Sequence, residues 1–121
     1  KEIIFSGAVK LYAPQYLFDE IEKHKQRIKE ASGLSQKELT DLLETLKARI
    51  TPAQANLFEK FLKEANALVT DKNDTEYVAL SLSMNKMRIW SNDAQFKKQS
   101  VIDVFTTPEL VKHLKSLGHS F

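Results

Sequence analysis

Residues 67–93 read ALVTDKNDTEYVALSLSMNKMRIWSND, and the order of textures along this stretch decides the fold class. Ala67–Thr70 is a short apolar run that predicts a strand. Thr75–Asn85 places Val78, Ala79 and Leu82 at helical spacing, and Met87–Ser91 predicts a buried strand. Downstream, Val101–Phe105 (VIDVF) predicts another strand. Thr107-Pro108 then caps a last helix carrying Leu110, Val111, Leu114 and Leu117 before Gly118. Strands and helices alternating at these distances imply an α/β fold, with a short parallel sheet, right-handed crossovers and helices packed on it.

Upstream the chain is mostly helical. Residues 1–7 read as the tail of a helix or a turn, and Val9–Ala13 as a short strand ended by Pro14. From Gln15 to about Ala31, Leu17, Ile21, His24 and Ile28 recur at helical spacing, with Lys23, Lys25, Arg27 and Lys29 on the other face and Gly33 as a stop. Ser35-Gln-Lys-Glu38 is a capping box that launches Leu39, Leu42, Leu43 and Leu46. Thr51-Pro52-Ala53-Gln54 repeats that logic with Pro at the first helical position, predicting a third helix with Leu57, Phe58, Phe61, Leu62 and Ala65 on one side. No repeat or linker interrupts the chain, so residues 1–121 read as a single domain.

Composition narrows the function. With 42% hydrophobic and 28% charged residues the chain fits neither a disordered nor a membrane class, and no apolar run is long enough to span a bilayer. The absence of cysteine excludes disulfides, zinc–thiolate sites and thiol nucleophiles, and fits a reducing cytoplasm. A net charge of +2 does not by itself announce a nucleic-acid binder. The opening KEIIFSGAVKLYAP lacks the apolar core of a secretory signal. His24, His113 and His119 lie on different elements and form no hydrolase or zinc motif, and Trp90 reads as core. The Leu-rich second and Phe-rich third helices can face a core, or equally a dimer or protein partner.

In open parallel sheets ligands bind beyond the carboxyl ends of the strands. There this chain is acidic: Asp71 and Asp74 after ALVT, Asn92-Asp93 after MRIWS, and Asp19-Glu20 within the helix that follows VKLYA. Carboxylates meeting at one edge repel unless a cation lies between them, and oxygen donors select Mg²⁺ or Mn²⁺. Each acid also has an ordinary structural reading: Asp71 or Asp74 as a helix cap, Asp93 as an Asx turn, Glu20 as a solvated helix residue.

The segment Asp71–Ser83, followed by Met87-Arg-Ile-Trp-Ser-Asn-Asp93 and Phe96, resembles the C-terminal half of a PIN domain, in which an Asp opens a helix with a V/I-A-L-A core and a strand ends in T/S-x-D. Pro14-Gln-Tyr-Leu-Phe-Asp-Glu20 is similar to that family's strand, Pro and helix segment. The likeness covers most of the chain, with residues 71–96 the most diagnostic and 34–66 only generally alike. It implies a three-layer α/β/α PIN-like fold and a metal-dependent endoribonuclease. Glu20, Asp74 and Asp93 are then the Mg²⁺ or Mn²⁺ ligands and catalytic acids, with Ser91 and Asp71 in support. Lys97, Lys98, Lys72 and Arg27, together with Lys23, are the cations nearest these acids in sequence and the expected RNA contacts.

The resemblance also implies an opening strand ending in an Asp ligand. Nothing before Val9 plays that part, so the expectation is a domain lacking its first strand and a site one ligand short. Implied partners are RNA, an antitoxin-type protein inhibitor, since many small family members are toxins of toxin–antitoxin pairs, and a homodimer. Two competitors stand beside this reading: a noncatalytic PIN-like module that binds RNA or protein, and another Mg²⁺-dependent α/β enzyme, such as a phosphatase or receiver-like domain. The second is disfavoured by the missing acidic cluster at a first strand and the missing Lys after a later one.

Overall fold

The computed structural model describes residues 2–120. The chain divides between Ala53 and Gln54 into two compact units. The first holds α1 (Glu2–Ser6), β1 (Leu11–Pro14), α2 (Gln15–Lys23), α3 (Lys25–Ser32), α4 (Gln36–Arg49) and β2 (Ile50–Ala53). The helical reading of the opening residues holds from Glu2, residue 1 lying outside the described residues. β1 pairs in parallel with β2, Leu11 opposite Ile50 and Pro14 opposite Ala53. Ile3, Ala13, Phe18, Leu39, Leu43 and Ala53 are buried, as is the Pro14 that joins β1 to α2.

Two expectations need correction here. Thr51-Pro52-Ala53 opens no helix: it is strand β2, with Pro52 opposite Ala13. The tetrapeptide suits either state, and in a two-stranded ribbon a residue without an N–H is tolerated because one edge is unpaired. Residues 15–31 form two helices, α2 and α3, meeting at His24, whose φ of −105° and ψ of 18° are non-helical. No helix-breaking residue type stands at that position. The capping box at the start of α4 is as expected, with the Ser35 hydroxyl accepting from the Glu38 N–H and the Glu38 carboxylate accepting from the Ser35 N–H.

The second unit holds α5 (Ala55–Phe58), a 3₁₀ turn (Glu59–Phe61), α6 (Leu62–Leu68), a 3₁₀ turn (Lys72–Asp74), α7 (Thr75–Ser83), β3 (Ile89–Trp90), a 3₁₀ turn (Ala94–Lys98), β4 (Val104–Phe105) and α8 (Thr107–Ser116). The expected strand at Ala67–Thr70 is instead the end of α6 and the bend after it. Its first residues continue the helical spacing of Leu62 and Ala65, and that periodicity outweighs a four-residue apolar run. The strands expected at 87–91 and 101–105 exist but shrink to two residues each, paired in parallel with Trp90 opposite Phe105.

α7 is the centre of this unit. Val78, Ala79, Leu80, Ser81 and Leu82 are all buried, so the helix is enclosed on every side, packed by α5 and α6. The buried Ser81 hydroxyl donates to the Met87 carbonyl. Phe58, Ala65, Phe96, Ile102, Leu110 and Leu114 complete the core.

The cap of α8 lies one residue earlier than expected, at Thr106. Its hydroxyl accepts from the Glu109 N–H, and Glu109 Oε1 accepts from the Thr106 N–H at 2.9 Å and from Lys97 Nζ at 2.5 Å. Lys97 first, and then Thr106, hold the Glu109 carboxyl down at about 2. A depressed carboxyl adds stability that is fully present above its ordinary value and is lost as pH falls through the native one. Thr106→Ala is expected to lower stability at neutral pH by about 1 kcal/mol in denaturant melts. Glu109→Gln is expected to remove the part of the acid-induced loss that falls between pH 4.5 and about 2.

Candidate functional site

The acids of the second unit occupy two turns. Asp71 precedes the 3₁₀ turn Lys72–Asp74, and its Oδ1 accepts from the Asn73 N–H at 2.9 Å. Asp93 precedes the turn Ala94–Lys98, and its Oδ1 accepts from the Gln95 N–H at 2.9 Å. Both make the Asx arrangement that a short carboxylate favours, reaching an N–H two residues on. Asp74 differs: it stands at the start of α7, yet its side chain makes no cap hydrogen bond. It is half-buried, and burial first, then the carboxylates of Asp71 and Asp93, push its carboxyl above the ordinary aspartate value. The structure therefore brings these three aspartates into one electrostatic neighbourhood.

How they arrive there differs in part from the sequence expectation. Asp93 does follow a strand, β3, but Asp71 and Asp74 follow the end of helix α6. Ser91 lies beside Asp93 in the chain, and its hydroxyl accepts from the Asp93 N–H at 3.1 Å, fixing the backbone that carries the acid. A tie that sequence reasoning did not anticipate holds this turn from the other side. Asn92 Nδ2 donates to Thr107 Oγ1 at 3.0 Å, Asn92 Oδ1 accepts from the Thr107 N–H at 2.8 Å, and Trp90 Nε1 donates to the same hydroxyl at 2.9 Å. The signal was the polar Asn-Asp pair after a strand, but its partner lies on α8, which no local pattern names.

Glu20 belongs to the first unit. It is half-buried on α2, with Oε2 3.1 Å from His24 Nε2 one turn on. The expected RNA contacts are placed variously. Arg27 and Lys98 are exposed, Lys72 Nζ donates to the Asn66 carbonyl at 3.0 Å, and Lys97 is engaged by Glu109. Lys98 thus offers a freer cation beside the Asp93 turn than Lys97 does.

Three carboxylates, one of them raised by burial and then by its neighbours, form a donor set whose chemistry suits a hard divalent cation, because a cation relieves their mutual repulsion. Their spacing does not by itself close a site: among the described residues no group of three or more His, Cys, Asp or Glu is arranged to hold a metal. No described helix is long and apolar enough to cross a membrane.

Paired parallel strands, flanking helices and acids at the turns before α7 and after β3 agree with the comparison to known families, in which the model described as PIN domain matches residues 1–115. The chain belongs to the PIN-domain family, a nuclease-type α/β fold whose members are generally nucleases and typically use divalent metals. The family resemblance and fold class read from the sequence are borne out. No curated protein and no solved structure gives a match.

Proposed function

We propose that the chain is a Mg²⁺- or Mn²⁺-dependent nuclease that hydrolyses phosphodiester bonds, with single-stranded RNA as substrate. One observation supports this beyond family membership: Asp74 is half-buried and uncapped, and burial first, then the carboxylates of Asp71 and Asp93, push its carboxyl up, a charge crowding that a bound cation would relieve. In this reading Asp74 and Asp93 hold the ion. Ser91 fixes the backbone of Asp93, and Asp71 adds negative potential while engaged with the Asn73 N–H. When bound, the ion supplies Lewis acidity to a water and to the phosphate. Lys98 attracts the phosphate backbone, with Lys72 and Lys97 adding charge while engaged by Asn66 and Glu109. An antitoxin-type inhibitor is a proposal that rests on the family alone, and a homodimer one that rests on the amphipathic stripes of the sequence.

A second reading has its own observation. Asp71 and Asp93 each spend a carboxylate oxygen on capping, and no three-group metal cluster stands among the described residues. That arrangement favours a noncatalytic PIN-like module that binds RNA or protein. Cleavage of an end-labelled single-stranded RNA in Mn²⁺ separates the two. The nuclease reading expects cutting that EDTA and Asp93→Asn both abolish. A folded protein that neither cuts nor takes up Mn²⁺ leaves the binding module in its place.

A further inference from the structure

Phe105 ends β4 opposite Trp90 and carries two planar cationic or aromatic groups against its ring. The guanidinium carbon of Arg88 lies 5.2 Å from the ring centroid. The His113 imidazole, from α8, stacks at 5.2 Å with its plane inclined by 29°. Phe105 and His113 are half-buried, whereas Arg88 is exposed and makes no ion pair among the described residues, although Asp103 adjoins β4. An exposed guanidinium resting on an aromatic face without an ion-pair partner keeps its charge available to a ligand, and its planar group stacks readily at little cost in hydration. Lys86, two residues before Arg88, and Lys112, one before His113, are exposed and add positive charge on either side in sequence.

Planar cations and rings of this kind accept unpaired bases, because every base has a π-face and the guanidinium plane stacks on it. A base paired inside a duplex offers no such face. The position also suits a strand that reaches the acids. Asp93 follows Trp90 by three residues and Trp90 is the strand neighbour of Phe105, so the Phe105 and Asp93 backbones are at most ~15 Å apart.

We propose that Arg88, Phe105 and His113 form a stacking platform for an unpaired base of single-stranded RNA, beside the Asp93 turn. This rests on the reading of RNA as the substrate, and it assigns the single-strand preference to stacking rather than to the lysines. The test is fluorescence anisotropy in EDTA, using the whole chain with a labelled oligouridine and an abasic oligomer of equal length. The wild-type protein binds the oligouridine more tightly than the abasic strand. Arg88→Lys keeps the charge and removes the plane. It weakens oligouridine binding about tenfold and leaves abasic binding unchanged. Equal affinity of the wild type for the two oligomers, no RNA binding at all, or an Arg88→Lys protein indistinguishable from wild type each overturns the platform. Mn²⁺ uptake, followed by electron paramagnetic resonance on the same preparation, tests the nuclease reading separately. A protein that discriminates bases but takes up no Mn²⁺ keeps the platform and loses the nuclease.

Discussion

Asp74→Asn is expected to reduce Mn²⁺-dependent cleavage by at least ~100-fold while leaving the fold as stable as before or more so. Outer-shell partners of metal ligands alone cost 10–100-fold, so a residue that holds the ion, as proposed for Asp74, costs more. The stability half of the expectation follows from the sign of the pKa shift. Burial and the two neighbouring carboxylates raise Asp74, so the native state holds its proton more tightly than the unfolded state does. The stability gained from that proton is fully present below the unfolded pKa and is lost as pH rises through the native one, which makes the ionised site the weaker state at neutral pH. Asparagine carries no charge and removes both the repulsion and this pH dependence. Thermal melts with and without saturating Mn²⁺ supply the check. The wild type gains Tm with the ion, because a ligand that binds only the native state stabilises it, and the variant does not. A variant that melts lower and still gains Tm from Mn²⁺ would show that Asp74 is a structural residue.

The largest effect on folding is expected at Phe58, which is 1% exposed at the end of α5, an element that packs against α7. Phe58→Ala removes an entire buried ring and leaves a cavity, at a cost of about 3–5 kcal/mol. That is a large share of the roughly 5–15 kcal/mol that holds a domain folded. Urea denaturation should show a midpoint displaced far toward zero with an unchanged slope. A displacement worth under about 1 kcal/mol would mean that neighbours collapse into the vacated space.

Much of this organisation was legible because its signals are local. The start of α4 is written in Ser35 and Glu38, and the body of α7 in the spacing of Val78, Ala79 and Leu82. The acids, too, stand out as Asp71, Asp74 and Asp93 between elements. What escaped was decided elsewhere in the chain. Thr51-Pro52-Ala53 is a strand only because β1 lies alongside it, whereas the cap of α8 is local after all, Thr106 and Glu109 having the spacing of Ser35 and Glu38. Nor does sequence distinguish Asp74 from Asp71 or Asp93. All three precede or open helical turns, and only burial in the fold, with the proximity of the other two, singles out the one whose carboxyl is raised.

The double link from Asn92 to Thr107 makes the acid-bearing turn a joint product of distant stretches of chain. Asp93 cannot be transplanted with its own loop. A peptide covering residues 87–98 carries the acid with its contacts to Ser91 and Gln95, but not the Thr107 that anchors the neighbouring Asn92 and Trp90, so grafting this corner onto another scaffold demands α8 as well. Drift in α8 is likewise constrained from outside the helix: Thr107 answers to a residue 15 positions upstream as well as to its own helix.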